Sequence, residues 1–165
     1  MRRQVLSLLV ENRSGVVSHI SGLFSRRAFN IDSFSAGVTS DPGFTRITIV
    51  STGDERDLDQ IKKQLNKLED VINIKELKSD DSVCRELVLV KIKAKDTDRQ
   101  AILSVSKIFR ARIIDVTVDS LIIELTGDQN KLDAFINLLK GYEVLELART
   151  GFTGLTRGAD NIVNL

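Results

Sequence analysis

The chain has 165 residues, enough for one ordinary domain or two small ones, and at this size about 70% of the unfolded surface is buried on folding, so no staples are needed. Its 24 basic and 23 acidic residues leave a formal net charge of +1, which removes the electrostatic basis for binding nucleic acid, a membrane surface or another polyanion. The single cysteine, Cys84, excludes an intramolecular disulfide and, at the start of an apolar run, reads as a reduced structural thiol of an intracellular protein.

Met1-Arg2-Arg3-Gln4 leads into a six-residue apolar run, Val5 to Val10, which predicts a first strand with both faces at least partly covered. The run is too short for a signal-peptide core, and no apolar stretch approaches the ~18 residues of a membrane span, so the expectation is a soluble, cytoplasmic protein. Beyond Asn12-Arg13-Ser14-Gly15, Val16, Ile20, Leu23 and Phe24 fall on one face of a helix ending near Arg27. Ile31 to Thr39 and Phe44 to Ser51 read as a hairpin turning at Ser40-Asp41-Pro42-Gly43. Thr52-Gly53-Asp54 offers a cap to a helix carrying Leu58, Ile61, Leu65 and Leu68, and Val71 to Leu77 closes the unit as a strand.

Strand, helix, strand, strand, helix, strand has one compact solution, an antiparallel sheet with both helices on one face. Lys78-Ser79-Asp80-Asp81-Ser82 is polar and aperiodic, as a linker is. The order then repeats. Glu86 to Lys93 reads as a strand, and a helix from Thr97 carries Ile102, Val105 and Phe109. Arg112 to Val118 and Leu121 to Thr126 form a hairpin around Asp119-Ser120, Thr126-Gly127-Asp128 opens a helix with Leu132, Phe135, Ile136 and Leu139, and Tyr142 to Leu147 is the last strand. Thr52-Gly53-Asp54 with Leu58-Asp59 and Leu65 matches Thr126-Gly127-Asp128 with Leu132-Asp133 and Leu139 at one constant offset, through duplication or convergent use of one cap. The expected fold class is α+β, two ferredoxin-like βαββαβ units in tandem, over residues 1–78 and 79–165.

Catalysis needs a nucleophile with a base, paired carboxylates in a cleft, or a metal cluster, and none of these is assembled in the pattern. His19, the only histidine, lies off the apolar stripe of its helix and reads as a solvated imidazole; one His and one Cys exclude zinc spacing. RNA-recognition domains share the element order but need aromatic residues on the central strands, where this chain has aliphatics, Arg46 and Thr48. Metal chaperones of this topology need a Cys-x-x-Cys loop, absent here. No helix-turn-helix or basic face supports a transcription regulator.

One polar segment stands out. Gly15 leaves the N–H groups of Gly15 and Val16 uncovered at a helix start, a place suited to a carboxylate; the alternative is that Asn12 or Ser14 merely caps the helix.

Residues 1 to 77 resemble an ACT domain: Asn12-Arg13-Ser14-Gly15-Val16 matches its effector loop and Asn30-Ile31 the segment opening its second strand. Leu8 to Val16 and then Phe24-Ser25-Arg26-Arg27-Ala28-Phe29-Asn30-Ile31 are similar to the regulatory (small) subunit family of acetolactate synthase, also called acetohydroxyacid synthase, and the similarity runs on to Ala148-Arg149-Thr150-Gly151. The resemblance implies a non-catalytic subunit, whose partner, a catalytic large subunit, carries thiamine diphosphate, magnesium and FAD while this chain carries no cofactor. It implies activation of that partner, a homodimer with the effector at the interface between two ACT domains, and feedback inhibition in branched-chain amino acid synthesis, typically by valine. Carried onto this sequence, Gly15 and Val16 N–H groups hold the effector carboxylate beside the Asn12 side chain, and Asn30 and Ile31 of a second chain meet its ammonium and aliphatic ends. The C-terminal unit, with Thr153 to Gly158, is expected to contact the catalytic subunit. The competing reading is an enzyme with a fused or degenerate sensor.

Overall fold

The computed structural model describes residues 1–163. The first apolar run is the centre of a longer strand, β1 (Arg2–Glu11), because the sheet on both sides of it continues past the apolar residues. α1 (Val16–Arg26), β2 (Ser33–Val38), β3 (Phe44–Gly53), α2 (Glu55–Leu65) and β4 (Val71–Glu76) follow. The sheet has the order β2-β3-β1-β4, all antiparallel. Alternation along β1 sends Leu6, Leu8 and Val10 to the helices, where Ile47 and Ile49 of β3 join Val16, Ile20, Leu23 and Phe24 of α1 and Leu58, Ile61 and Leu65 of α2. Burying each of these side chains contributes about 1.5–3 kcal/mol.

The open face of this sheet is covered as well. β9 (Thr153–Thr156) and the residues after it return to the first unit, so the two compact units are residues 1–84 with the tail from 152, and residues 85–151. This shifts the expected division at 78/79 and takes the tail from the second unit. Phe152 is 6% exposed; its N–H donates to the Ser33 hydroxyl at 3.0 Å and its ring lies 4.7 Å beneath the Arg3 guanidinium. Further on, Lys75 pairs with Asp160, Asn73 donates to the Ile162 carbonyl at 2.6 Å, and Ile162 is buried. Val5, Ser7, Leu9, Thr48 and Val50 are consequently buried on the side facing away from the helices. The crossing requires a glycine: a Cβ on Gly154 would lie 2.6 Å from Cys84 Sγ and 2.7 Å from the Val83 carbonyl. Cys84 is half-buried at this close approach.

The second unit is built from β5 (Ser82–Lys93), α3 (Asp96–Ile108), β6 (Arg112–Val116), β7 (Ser120–Gly127), α4 (Gln129–Leu139) and β8 (Val144–Arg149), in sheet order β6-β7-β5-β8. The element order is that expected, and the last strand of this unit sits two residues later; β9, which belongs to the first unit, is a strand that its four residues, two of them Thr, give no periodicity to reveal. On α3 the buried positions are Ile102 and Ser106, whose hydroxyl bonds back to the Ile102 carbonyl at 2.8 Å, while Val105 and Phe109 are half-buried. Phe109 meets Phe135 edge-to-face at 5.4 Å between centroids. The repeated Thr-Gly-Asp signature has one physical meaning in both units: Asp54 accepts from Asp57 N–H at 2.8 Å and Asp128 from Lys131 N–H at 2.9 Å, each as the N-cap. Among the described residues no helix is long and apolar enough to cross a membrane.

Candidate functional site

α1 begins without a side-chain cap. Its N-cap is Gly15, at φ +88°, and neither Asn12 nor Ser14 takes the capping role. The left-handed conformation turns the chain sharply into the helix, and nothing lies within 4 Å of where a Cβ would be. The first turn of the helix thus has no side-chain cap and no neighbour on the Cβ side of Gly15, at the positive end of the helix dipole. Val16 presents only its backbone at this corner, since its side chain is buried in the core.

Asn12 has a structural task. Its Nδ2 donates to the Pro42 carbonyl at 2.9 Å, its Oδ1 accepts from Thr45 Oγ1 at 3.2 Å, and its N–H donates to the Gly43 carbonyl at 2.9 Å. The loop is thereby fastened to the β2–β3 turn, itself closed by Asp41, whose Oδ1 accepts from Gly43 N–H at 2.8 Å.

A second fastening comes from Asp70, just before β4. The Asp70 carbonyl accepts from Glu11 N–H at 3.0 Å, and its carboxylate accepts from Arg13 Nη2 at 3.1 Å and binds His19 Nδ1 at 2.6 Å. Arg13 also pairs with Glu11. The hydrogen bond from His19, together with the charge of Arg13, outweighs desolvation and holds the Asp70 carboxyl below the usual carboxylate value. His19 is exposed on its helix, as its position off the stripe implies, yet it is one of two donors on a buried carboxylate. No local signal reveals this cluster, because 51 and 57 residues separate its members.

Asn30 and Ile31 lie at the other end of α1. Eleven residues of helix span about 16 Å, so one chain does not bring them to Gly15. Asn30 is exposed, with Nδ2 donating to Asp32 Oδ1 at 2.6 Å; Ile31 is half-buried against the core. The chain reaches them through Ala28, at φ +55°, where Ala28 N–H donates to the Ser25 carbonyl and Phe29 N–H to the Phe24 carbonyl in a Schellman closure. Among the described residues no three His, Cys, Asp or Glu side chains converge as a metal site.

Comparison with known proteins bears on both units. Residues 6–73 match a family described as the AHAS small subunit-like ACT domain, and residues 85–158 match one described as the small subunit of acetolactate synthase. A probable acetolactate synthase small subunit from Methanothermobacter thermautotrophicus is 47% identical over 156 residues, covering 94% of this chain and 93% of that protein. The acetolactate synthase isozyme 3 small subunit of Escherichia coli K12 is 45% identical over 157 residues, covering 94% and 96%. The crystal structure of an acetolactate synthase small subunit from Thermotoga maritima superposes with a TM-score of 0.87 at 40% identity, covering 97% of this chain and 100% of that one.

Proposed function

The chain belongs to the family of acetolactate synthase small subunits, and from that premise we propose that it binds a branched-chain amino acid, valine first, and passes feedback inhibition to a catalytic large subunit. The observation that carries this reading is Gly15 at φ +88°, with open space above an uncapped helix start. The effector carboxylate accepts from Gly15 and Val16 N–H, while Asn12 and Asp70 hold the loop in place. Charge-assisted hydrogen bonds contribute about 1.5–3 kcal/mol each and a buried methylene about 0.8 kcal/mol, so affinity resides in the polar end and discrimination among aliphatic tails is modest.

The ammonium and side chain need further partners, and Asn30 and Ile31 of the same chain are too distant to serve. A homodimer that sets the Asn30-Ile31 segment of one chain against the Gly15 loop of the other completes the site. The bound effector bridges two chains and shifts their packing; a coupling of about 1–3 kcal/mol is enough to change the partner's activity several-fold. The chemistry of condensation belongs to the large subunit with its thiamine diphosphate, magnesium and FAD. The second unit supports a docking role through large apolar side chains left exposed on its edge strands: Ile114 and Val116 of β6, Val144 and Leu145 of β8.

The test is to mix the chain with the catalytic subunit and titrate valine while following acetolactate. The chain raises activity, valine lowers it, and Gly15→Asp keeps the first effect and loses the second. Inhibition unchanged in Gly15→Asp removes the loop from the site; no activity change on mixing removes the regulatory reading.

A further inference from the structure

On the covered face of the first sheet, Arg46 has no carboxylate against it among the described residues. Arg46 of β3 lies directly across from Leu9 of β1 and Gly37 of β2 and is half-buried. Among the described residues its guanidinium has a single hydrogen-bond partner, the Ser7 hydroxyl at 2.8 Å, and no ion-pair partner. The contrast within the unit is plain: Arg2 pairs with Glu55 and Glu76, Lys62 with Glu76, and Lys75 with Asp160. Burial lowers the pKa of Arg46, with no acidic neighbour opposing it. A half-buried cation left without a counter-charge is costly unless something else satisfies it.

The space beside Arg46 fits a ligand. Arg46 borders a groove of about 590 Å³ whose walls include Leu9, Phe44, Ile72 and Val163, and also a smaller cavity of about 210 Å³ shared with Ser7 and Lys75 beneath the tail. A groove of that volume, with apolar walls, small hydroxyl side chains and two charged residues, Arg46 and Asp41, has the make-up of a small-molecule site. Gly37 keeps it open, since nothing lies within 4 Å of its Cβ position. The planar guanidinium suits a carboxylate. Among the described residues no acid is paired with Arg46: Asp160 is paired with Lys75, and Asp41 stands at the β2–β3 turn end of the groove, where its Oδ1 accepts from Gly43 N–H, so an α-ammonium beside a carboxylate held by Arg46 has no acid recorded next to it.

We propose that Arg46 anchors the carboxylate of a short aliphatic acid lacking an amino group, a simple or 2-oxo acid, with its hydrocarbon chain lying along the groove between β2 and the tail. This site is separate from the Gly15 loop and stands or falls without it.

The test follows backbone amide shifts of the isotope-labelled full-length protein during titration with 3-methylbutanoate and 3-methyl-2-oxobutanoate, with 3-methylbutylamine as control. Both acids shift Gly37 and Thr153 saturably and the amine does not. Arg46→Gln weakens acid binding about tenfold or more, as expected for loss of a charge-assisted contact, and leaves the valine response of Gly15 and Val16 unchanged. Gly37→Val, which fills the groove and keeps the charge, has the same effect on the acids. Saturable shifts confined to Gly15 and Val16, or undiminished acid binding in Arg46→Gln, overturns the proposal. So does the absence of acid binding at millimolar concentration, including the case in which Arg46→Gln weakens association with the catalytic subunit and Arg46 meets a carboxylate of that chain instead.

Discussion

The two units share an element order and even a capping signature, but they treat the same corner of the fold in opposite ways. In the first, four residues separate β1 from α1, and the corner is held from the outside by Asn12 and Asp70 so that the N–H groups above Gly15 stay open. In the second, two residues separate β5 from α3, and Arg99, at the fourth helical position as His19 is in α1, reaches back over the corner. Its Nη2 lies within hydrogen-bond distance of the carbonyls of Ala94 (3.1 Å), Thr117 (2.8 Å) and Val118 (2.8 Å). A cation sits where the first unit leaves room for an anion. The sheets differ in the same sense. The first is covered on both faces because the tail returns to it, whereas the second exposes large apolar side chains along both edge strands.

The largest expected effect comes from uncovering the first sheet. Phe152→Ala removes a nearly buried ring from the tail and costs about 3 kcal/mol, measured by urea denaturation. Amide exchange then rises in β1 and β3 and stays unchanged in β7. A uniform rise in both units contradicts the assignment of the tail to the first. Next, Arg99→Ala leaves three carbonyls without their donor in the second unit and costs about 1.5 kcal/mol, with valine inhibition unchanged. Altered inhibition puts the second corner into the effector pathway.

How much of this contrast is legible in the sequence follows from the range of each interaction. The apolar run of β1, the helical stripe of α1 and the turn at Ser40 to Gly43 are local patterns and predict their elements to within a few residues. Asp54 and Asp128 are readable as caps because the bond they make spans only three residues. The return of the tail is different. Phe152 meets Ser33 across 119 positions, and nothing near Thr153 declares a strand. The Asp70 cluster is equally silent, so His19 reads as solvated and its partner goes unseen. At the loop, Gly15 is legible as an open helix start, while the Asn12 side chain, expected beside a ligand, is engaged by the β2–β3 turn.

Two smaller effects sharpen the picture. The folded-state pKa of Asp70 lies below its unfolded value, so its ion pairs stabilise the fold at pH values above the ordinary carboxylate range near 4 and the contribution is lost as pH falls through the folded value. Asp70→Asn therefore flattens the dependence of the urea midpoint on pH below about 4. An unchanged slope means that Asp70 does not tie the loop through its charge. The smallest change is at the helix exits. Ala28 and Arg110 both adopt positive φ, at +55° and +56°, after α1 and α3. Ala28→Gly relieves that strain and raises stability by about 0.5–1 kcal/mol, less the added freedom of the unfolded chain, read from the thermal midpoint. A lowered midpoint shows that the left-handed turn is carried without cost.

The proposed effector site is the open corner above Gly15, not the filled corner below Arg99. Its most direct test is a valine titration of the labelled full-length protein read at the backbone amides. Saturable shifts are expected at Gly15 and Val16, with Asn30 and Ile31 responding at the same valine concentration and Ala94 and Lys95 silent. Shifts at Ala94 and Lys95, or saturable binding that leaves Gly15 and Val16 unmoved, would contradict it.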